Sequence, residues 1–453
     1  MSAPSSSAER MLPTRAAVPV IGGFFALFFG FLALPRVRAT PGLFWAFIGA
    51  GLVMLLAVGA LALRDRRSGR RLQIQLWPKR EHTVQLVVQL TIFGYWGWYW
   101  RPVYEQMPLI LAQVVFAYLV DLVLAWRRYG RWRLGLGQFP ITFSTNLFMW
   151  FRDPLFGFQF AMMALAYLSR DALVWRREGQ RTHIFNPSAF GLAIASVTLI
   201  IGEWAHQTYG SQIALSLGYP PFAFEWIFLC GVVVQLFFRV TLVTFSAAMA
   251  AWVFGAVFYL KTGVWLYVDT AIPIAVFLGM NLLVTDPVSS PRSNGGKVLF
   301  GVLYGVAVCV LYGVLRDLGR PATETDPGLH VSWLDKLLFL PVLNLLARPL
   351  DAIGRHLNFK RFGWKFGPPA TNRVHVALWV GAFVALRPWL IDHPGRSHDF
   401  WREACTEGRF RACENLLLLY DKSCESGIGA ACHNLGVMVE TGEAGPVDLP
   451  RAA

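Results

Sequence analysis

Four polar residues stand at the ends of long apolar segments, where a side chain can either hold a bound group or cap a helix. Asn186 precedes one apolar run and Asn294 precedes another. Thr285 and Asp286 close a third run and are followed by a proline. Amide, hydroxyl and carboxylate groups in such places can orient a cofactor or satisfy the free amides at a helix start. Both interpretations remain open, and these four residues form the candidate cofactor-binding set.

One carboxylate lies deep within an apolar segment. Asp121 sits between Leu119-Val120 and Leu122-Val123 and is the deepest carboxylate within the predicted spans. A charge inside a membrane is costly and usually functional, so Asp121 is the candidate ion-path residue. Other charged residues beside apolar runs fall near predicted ends, where long side chains reach water; these are Arg170, Asp171, Glu203, Arg239 and Asp269.

The signatures of common catalytic and metal sites are missing from the sequence. It contains no P-loop, no dinucleotide-binding glycine motif, no H-E-x-x-H and no G-x-S-x-G. Haem and iron–sulfur spacings are absent as well, and no set of metal ligands is predicted. The sequence does not predict a self-contained enzyme, and whether the protein contributes to an enzymatic reaction as a subunit stays open.

The composition is that of a polytopic membrane protein. Of 453 residues, 55% are hydrophobic and 15% charged, whereas soluble domains carry about 25% charged residues. Membrane-spanning backbone must satisfy its own hydrogen bonds, which favours an all-α helix bundle in the lipid bilayer. The net charge of +14 is concentrated in short loops, as membrane orientation requires, so nucleic acid is excluded as a partner.

Apolar segments of membrane-spanning length predict about ten to thirteen helices. The thirteen candidate spans cover residues 17–34, 43–63, 84–100, 107–125, 139–151, 156–175, 187–204, 224–238, 241–260, 264–284, 298–315, 334–350 and 375–391. Spans 139–151 and 224–238 are short and fit half-spans, and 334–350 carries enough polar residues to lie in the membrane interface.

Basic residues predict the orientation of the bundle. They gather in the loops after the second, fourth, sixth and twelfth spans; examples are Arg64, Arg66, Arg67, Arg70, Arg71, Lys79, Arg80, Arg127, Arg128, Arg131, Arg133, Arg176, Arg177, Arg181, Arg355, Lys360, Arg361, Lys365 and Arg373. All these loops follow even-numbered spans and therefore face one side. The positive-inside rule predicts a cytoplasmic N-terminus and an external C-terminus.

Two segments give this chain a family resemblance. One segment, residues 281–301, begins at the end of a predicted apolar helix and continues with Thr-Asp-Pro-Val. A stretch with Ser and Pro and a Gly-Gly turn follow, and Phe-Gly lies near the start of the next predicted helix. The other, residues 183–192, reads His-Ile-Phe-Asn-Pro-Ser-Ala-Phe-Gly-Leu. In sequence and order they resemble the RnfD/NqrB family of membrane proteins, which belong to the Rnf electron-transport complex and the sodium-pumping NADH:quinone reductase.

The resemblance implies flavin-linked electron transfer, possible ion translocation and other membrane subunits as partners. Family members typically carry FMN on a Thr of a Ser/Thr-Gly-Ala-Thr segment, and no Gly-Ala-Thr occurs here. Covalent FMN is therefore not expected. The cofactors that remain compatible with the resemblance are a non-covalently bound FMN or riboflavin and a quinone.

The resemblance divides the chain. Residues 132–318 form the family-like membrane core, preceded by N-terminal membrane helices over 1–131. Membrane helices and a basic loop follow over 319–391, and a polar tail covers 392–453.

The tail carries four cysteines: Cys405, Cys413, Cys424 and Cys432. Its pattern of cysteines, glycines and alanines resembles cysteine-rich Sel1-like repeats, in which a disulfide joins the two helices of a repeat. This predicts the pairs 405–413 and 424–432; metal ligation and free thiols are the alternatives, and the spacing lacks the C-x₂-C closeness of zinc ribbons. Disulfides need an oxidising compartment, which agrees with an external tail that docks a periplasmic protein.

Three functions compete at this point. The first is a membrane subunit of a flavin- or quinone-linked electron-transport complex in a bacterial inner membrane. The second is a non-redox transporter of the same fold, and the third is a membrane anchor whose tail recruits a periplasmic partner. The electron donor, the coupled ion and the partner subunits are not encoded in any pattern that we recognise.

Overall fold

Apolar helices make up most of the chain. The computed structural model describes residues 10–13, 16–68, 72–177, 179–320, 328–356, 368–425 and 427–444. The predicted orientation signals Arg70, Arg71, Lys360, Arg361 and Lys365, and the chain end from 445, lie outside the described residues.

The helices that precede the predicted core, residues 132–318, are α1 (Ala17–Gly30), α2 (Pro35–Ala39), α3 (Pro41–Ser68), α4 (Arg80–Tyr99) and α5 (Pro102–Tyr129). The core continues with α6 (Gln138–Asn146), α7 (Phe156–Ala172), α8 (Pro187–Ile201), α9 (Gly210–Ser216), α10 (Ala223–Phe238), α11 (Thr241–Thr262), α12 (Ile274–Leu278) and α13 (Asn294–Leu318). The last helices are α14 (Asp335–Leu338), α15 (Leu340–His356), α16 (Pro368–Ile391), α17 (His398–Thr406), α18 (Ala412–Glu425) and α19 (Gly429–Thr441).

This architecture confirms the predicted all-α class. Among the described residues, six helices are long and apolar enough to cross a membrane: Pro41–Ser68, Pro102–Tyr129, Thr241–Thr262, Asn294–Leu318, Ser332–His356 and Thr371–Arg396. Four shorter apolar helices accompany them: Ala17–Ala33, Pro187–Ile201, Ala223–Phe238 and Ile274–Leu283. The predicted span 334–350 is part of the long apolar helix Ser332–His356. The total of thirteen membrane spans stays a prediction.

Short strands occur where the sequence indicated only loops. β1 (Arg10–Met11) pairs with β2 (Gln73–Leu76), which runs parallel to β3 (Arg131–Leu134). β4 (Val174–Arg177) and β5 (Gln180–His183) form a hairpin. The strands belong to the basic loops, and the β2–β3 pairing brings the loops before α4 and after α5 to the same end of the bundle.

The order of the core helices repeats. α4 and α5 form a pair with a two-residue connection, as do α10 and α11. Each pair is followed by a short helix: α6 in the first series, and α12 with its π-helical extension Gly279–Leu283 in the second. A longer helix comes next in both series, α7 and then α13.

The two short helices end in the same way. Asn146-Leu147 closes α6, and Asp153-Pro154 follows after a few residues; Asn281-Leu282 closes the π turn, and Asp286-Pro287 follows. Each asparagine is fully buried and donates its side-chain amide to the carbonyl four residues before it, on Thr142 and Phe277, both at 2.8 Å. The sequence prediction identified the second of these ends and missed the first.

Buried polar side chains support both interruptions. Gln113 of α5 accepts from the Asn146 amide at 2.7 Å, and Gln159 of α7 donates to Gln113 at 3.1 Å. In the second series, Gln235 of α10 donates to Asn281 Oδ1 at 3.0 Å, and Thr244 of α11 donates to the Met280 carbonyl at 2.9 Å. Since the bundle interior offers little water, these side chains replace the backbone partners that an unbroken helix would provide.

Helices α11 and α13 pack closely because small residues face each other. A Cβ added at Gly301 would stand 2.1 Å from Ser246 Oγ and 2.3 Å from the Val243 carbonyl oxygen. Gly313, on the same helix, has no such neighbour within 4 Å. Close backbone approach at small residues is the usual basis of helix association in membranes.

We expect Gly301→Ala to push α11 and α13 apart and to lower the free energy of unfolding by about 1–3 kcal/mol. The matched variant Gly313→Ala should be neutral or slightly stabilising, because alanine favours the helix. Thermal unfolding of the two purified variants in detergent measures the difference. Equal melting temperatures would contradict this packing.

Candidate functional site

The two segments that carry the family resemblance meet in space. Asn186 caps α8: its Oδ1 accepts from the Ala189 amide at 3.3 Å. Its Nδ2 donates to the Leu283 carbonyl at 2.7 Å, at the end of the π turn. A π turn leaves carbonyls without their α-helical partners, and Asn186 satisfies one of them. This contact joins regions that are far apart in the sequence.

Asn344 of α15 extends the junction. Its Oδ1 accepts from the backbone amide of Asn186 at 3.0 Å, and its Nδ2 donates to the Ser289 carbonyl at 3.3 Å. The side chain of Asn344 is buried, and it ties α8 and the loop after the π turn to α15. In the sequence, Asn344 is only one of the polar residues that indicate an interfacial helix.

Asp286 shapes the loop that follows. Its carboxylate accepts from the amides of Val288 and Ser289, each at 3.2 Å, and from the Ser289 hydroxyl at 2.6 Å. His183 Nε2 lies 3.1 Å from Asp286 Oδ2. Burial by itself would raise the pKa of Asp286, but His183 and these hydrogen bonds outweigh it, and the pKa lies below its ordinary value.

Thr285 and Asn294 differ in their surroundings. Thr285 is buried and donates its hydroxyl to the Asn281 carbonyl at 3.0 Å, which extends the cap of the interrupted helix. Asn294 is exposed at the start of α13. The helix cap there is Ser293, whose hydroxyl accepts from the Gly296 amide at 3.1 Å. The structure therefore gathers Asn186, Thr285 and Asp286 in one network and leaves Asn294 at the surface.

A buried ion pair anchors the same loop, and sequence reasoning missed it. Arg177 and Asp351 have side chains that are 7% and 9% exposed, with 2.5 Å between guanidinium nitrogen and carboxylate oxygen. The second oxygen of Asp351 accepts from the backbone amides of Arg292 and Ser293 at 2.9 and 2.6 Å. In the sequence, Arg177 is only one of the basic loop residues that predict the orientation of the helix bundle in the membrane. Removing one partner of such a pair leaves a buried charge uncompensated, so the pair fixes loop 286–293 strongly.

Asp121 lies at the floor of a basic pocket. It forms an ion pair with Arg170, and its other oxygen accepts from Trp132 Nε1 at 3.1 Å and from Gln138 Nε2 at 2.8 Å. The sequence predicts the burial and the charge of this side chain. It does not predict the partners, because Arg170 falls near a predicted helix end. An ion-path role for Asp121 stays a prediction.

An aromatic pocket of about 410 Å³ opens where α11 and α16 end. Tyr259 and Trp265 are stacked in its wall, with ring centroids 4.2 Å apart, and Trp389 lies 5.8 Å from Trp265. The buried indole nitrogen of Trp265 has no hydrogen-bond partner among the described residues. Buried N–H groups usually have an acceptor, and the indole nitrogens of Trp175 and Trp379 lack one among the described residues in the same way.

The tail cysteines confirm the predicted disulfides. Cys405 is bonded to Cys413 and Cys424 to Cys432, which links α17 to α18 and α18 to α19. The tail also contacts the helix bundle: Trp401 Nε1 donates to the Gly395 and Val268 carbonyls at 2.6 and 3.2 Å. The tail is thus held against the loop that follows α11.

The fold and these sites define an all-α protein of the membrane-helix class with a disulfide-bonded helical tail. Comparison of the chain with protein-family models, curated proteins and solved structures finds no match. The family resemblance therefore rests on the two segments quoted above.

We expect Asp286→Ala to lower the free energy of unfolding by about 1–3 kcal/mol, because it leaves the Val288 and Ser289 donors without their acceptor. Asn294→Ala, at the exposed helix start, should be nearly neutral. Thermal unfolding at neutral pH compares the two, and equal effects would contradict the role of Asp286 in the loop.

The pH dependence gives a second measurement. Because the folded-state pKa of Asp286 is lowered, its stabilising contribution is complete above the ordinary aspartate pKa of about 3.9 and is lost as the pH falls through the folded value. The difference in stability between the native protein and Asp286→Ala should therefore shrink below about pH 4.

Proposed function

We propose that this protein is a membrane subunit of a flavin- or quinone-linked electron-transport complex coupled to ion translocation. The observation that carries the proposal is the repeated pair of interrupted helices, α6 and α12 with its π turn, each closed by a buried asparagine. Short, broken hydrophobic helices in corresponding positions of two halves are typical of proteins that move ions or small solutes. The link to redox chemistry rests on the family resemblance of two segments, which contact each other through Asn186 and the Leu283 carbonyl.

In this proposal the aromatic pocket holds a planar redox ring. Its wall of stacked aromatic side chains suits a quinone or an isoalloxazine ring, and the indole N–H of Trp265 suits a ring carbonyl. When bound, either group would supply electron transfer. Asn186, Thr285 and Asp286 already use their polar atoms within the chain, so in this proposal they position helix ends and do not contact the ring.

A non-redox transporter of the same fold is the second candidate. The interrupted helices favour it as much as they favour the redox subunit, since they bear on translocation and not on electrons. The third candidate, an anchor for a periplasmic partner, is supported by the disulfide-bonded tail, which contacts the bundle through Trp401 and the Val268 carbonyl.

The compartment follows from the same reasoning. Loops rich in arginine lie at one end of the bundle and the disulfides lie in the tail. We place the protein in a bacterial inner membrane, with the N-terminus in the cytoplasm and the tail in the periplasm. Other membrane subunits are its expected partners, together with a periplasmic protein at the tail.

We expect protein purified gently with its partner subunits to contain extractable flavin or quinone, and its denatured band to show no flavin fluorescence. Trp265→Phe keeps an aromatic side chain but removes the indole N–H donor, so it should lower the cofactor content several-fold. Trp98→Phe, a change at an exposed tryptophan, is the control. Absorption spectra and organic extraction measure the content. An assembled complex without either cofactor would favour the transporter or the anchor.

We also expect reporter fusions after Arg80 and after Ala453 to report opposite sides of the membrane, because basic loops face the cytoplasm and disulfides form outside it. Activity of an alkaline-phosphatase fusion and fluorescence of a cytoplasm-dependent fusion give the two readouts. Finding both positions on the same side would contradict the orientation.

A further inference from the structure

A pocket of about 670 Å³ lies where two basic loops meet the end of α7. The strand pairing β2–β3 brings the loop before α4 next to the loop after α5, and the end of α7 closes the third side. The polar and aromatic residues that matter for its chemistry are Trp77, Lys79, His82, Tyr129, Arg131 and Arg133, above the Asp121–Arg170 floor.

Positive charge in this pocket exceeds the negative charge available to it. Asp121 is already paired with Arg170, and Asp171 is paired with Arg128 at 3.0 Å. Among the described residues, no ion pair joins Lys79, Arg131 or Arg133 to a carboxylate.

Two of these cations share one aromatic ring. Lys79 Nζ lies 3.9 Å and the Arg133 guanidinium carbon 4.5 Å from the ring centroid of Trp77. Like charges so close together repel each other, and the ring quadrupole offsets this repulsion only in part. Burial lowers the pKa of Lys79, Glu81 opposes this shift, and Arg133 adds to it. An anion bound beside these two cations would relieve the repulsion.

We propose that this pocket binds the phosphate group of an anionic phospholipid. Guanidinium and ammonium groups are the usual ligands of phosphate, and the guanidinium can donate two parallel hydrogen bonds. Basic pockets between membrane helices on the cytoplasmic side are suited to acidic headgroups, and Trp77 and Tyr129 are side chains of the kind found at the headgroup level. The same chemistry would accept a free phosphate, so the test separates the two sources.

The experiment uses the full chain in detergent with three added probes: cardiolipin, phosphatidylcholine and inorganic phosphate. Native mass spectrometry counts bound lipid, and thermal unfolding reports the stabilisation that each probe gives. We expect cardiolipin to bind and stabilise, and zwitterionic phosphatidylcholine to do neither. Binding of inorganic phosphate with no preference for cardiolipin over phosphatidylcholine would keep the phosphate site and overturn the lipid as its source.

The double variant Lys79→Gln/Arg133→Gln should bind cardiolipin roughly ten- to thirtyfold more weakly, as expected for the loss of two basic contacts. The matched control Arg66→Gln/Arg127→Gln removes two exposed cations from nearby helix ends outside the pocket and should bind like the native protein. If the double variant does not fold, the single variants take its place, with an expected several-fold loss each. An equal loss in the control would overturn the proposal, as would the absence of any preference for cardiolipin or phosphate.

Discussion

A helix that is interrupted inside an apolar bundle exposes amide and carbonyl groups where water is scarce, and every such group needs a partner from the protein. Two interruptions of this kind, after α6 and in the π turn after α12, determine how the core is assembled. The side-chain amides of Asn146 and Asn281 each satisfy a carbonyl of the preceding turn. Glutamines from neighbouring helices satisfy the asparagines in turn. These buried polar groups are costly unless all are bonded, so they fix the relative positions of the helices that supply them.

The second interruption also organises the loop that carries the family-like sequence. Asn186 binds the end of the π turn, Asp286 folds the chain after it, and the Arg177–Asp351 pair anchors the residues before α13. The candidate cofactor-binding residues thus have a structural role that is visible in their contacts. The cofactor in our proposal is therefore assigned to the aromatic pocket, whose wall includes the stacked rings of Tyr259 and Trp265.

The two ends of the bundle have contrasting chemistry. One end gathers arginine-rich loops, short strands and a basic pocket, and the other meets a tail closed by disulfides. The proposed orientation, with the basic end in the cytoplasm and the tail outside it, rests on this contrast. The aromatic pocket belongs to the end with the tail, because Pro394 and Phe400 contribute to its lining.

The sequence by itself predicted the helical class from the length of its apolar segments, and it predicted the disulfide pairs through the resemblance of the tail to Sel1-like repeats. Both are properties of local sequence. It also indicated that Asn186 and Asp286 stand at helix ends, since caps and prolines act over a few residues. Only the tertiary structure decided that Asn186 contacts the π turn, that Arg177 pairs with Asp351, and that Asn294 stays at the surface. Segment 139–151 was predicted to be a half-span, but segment 264–284 was predicted to be a full span, so the repeat of interrupted helices was not predicted. Hydropathy does not distinguish a full span from a short helix next to an apolar turn. These features depend on which helices become neighbours, and hydrogen bonds and ion pairs between distant residues cannot be inferred from local patterns.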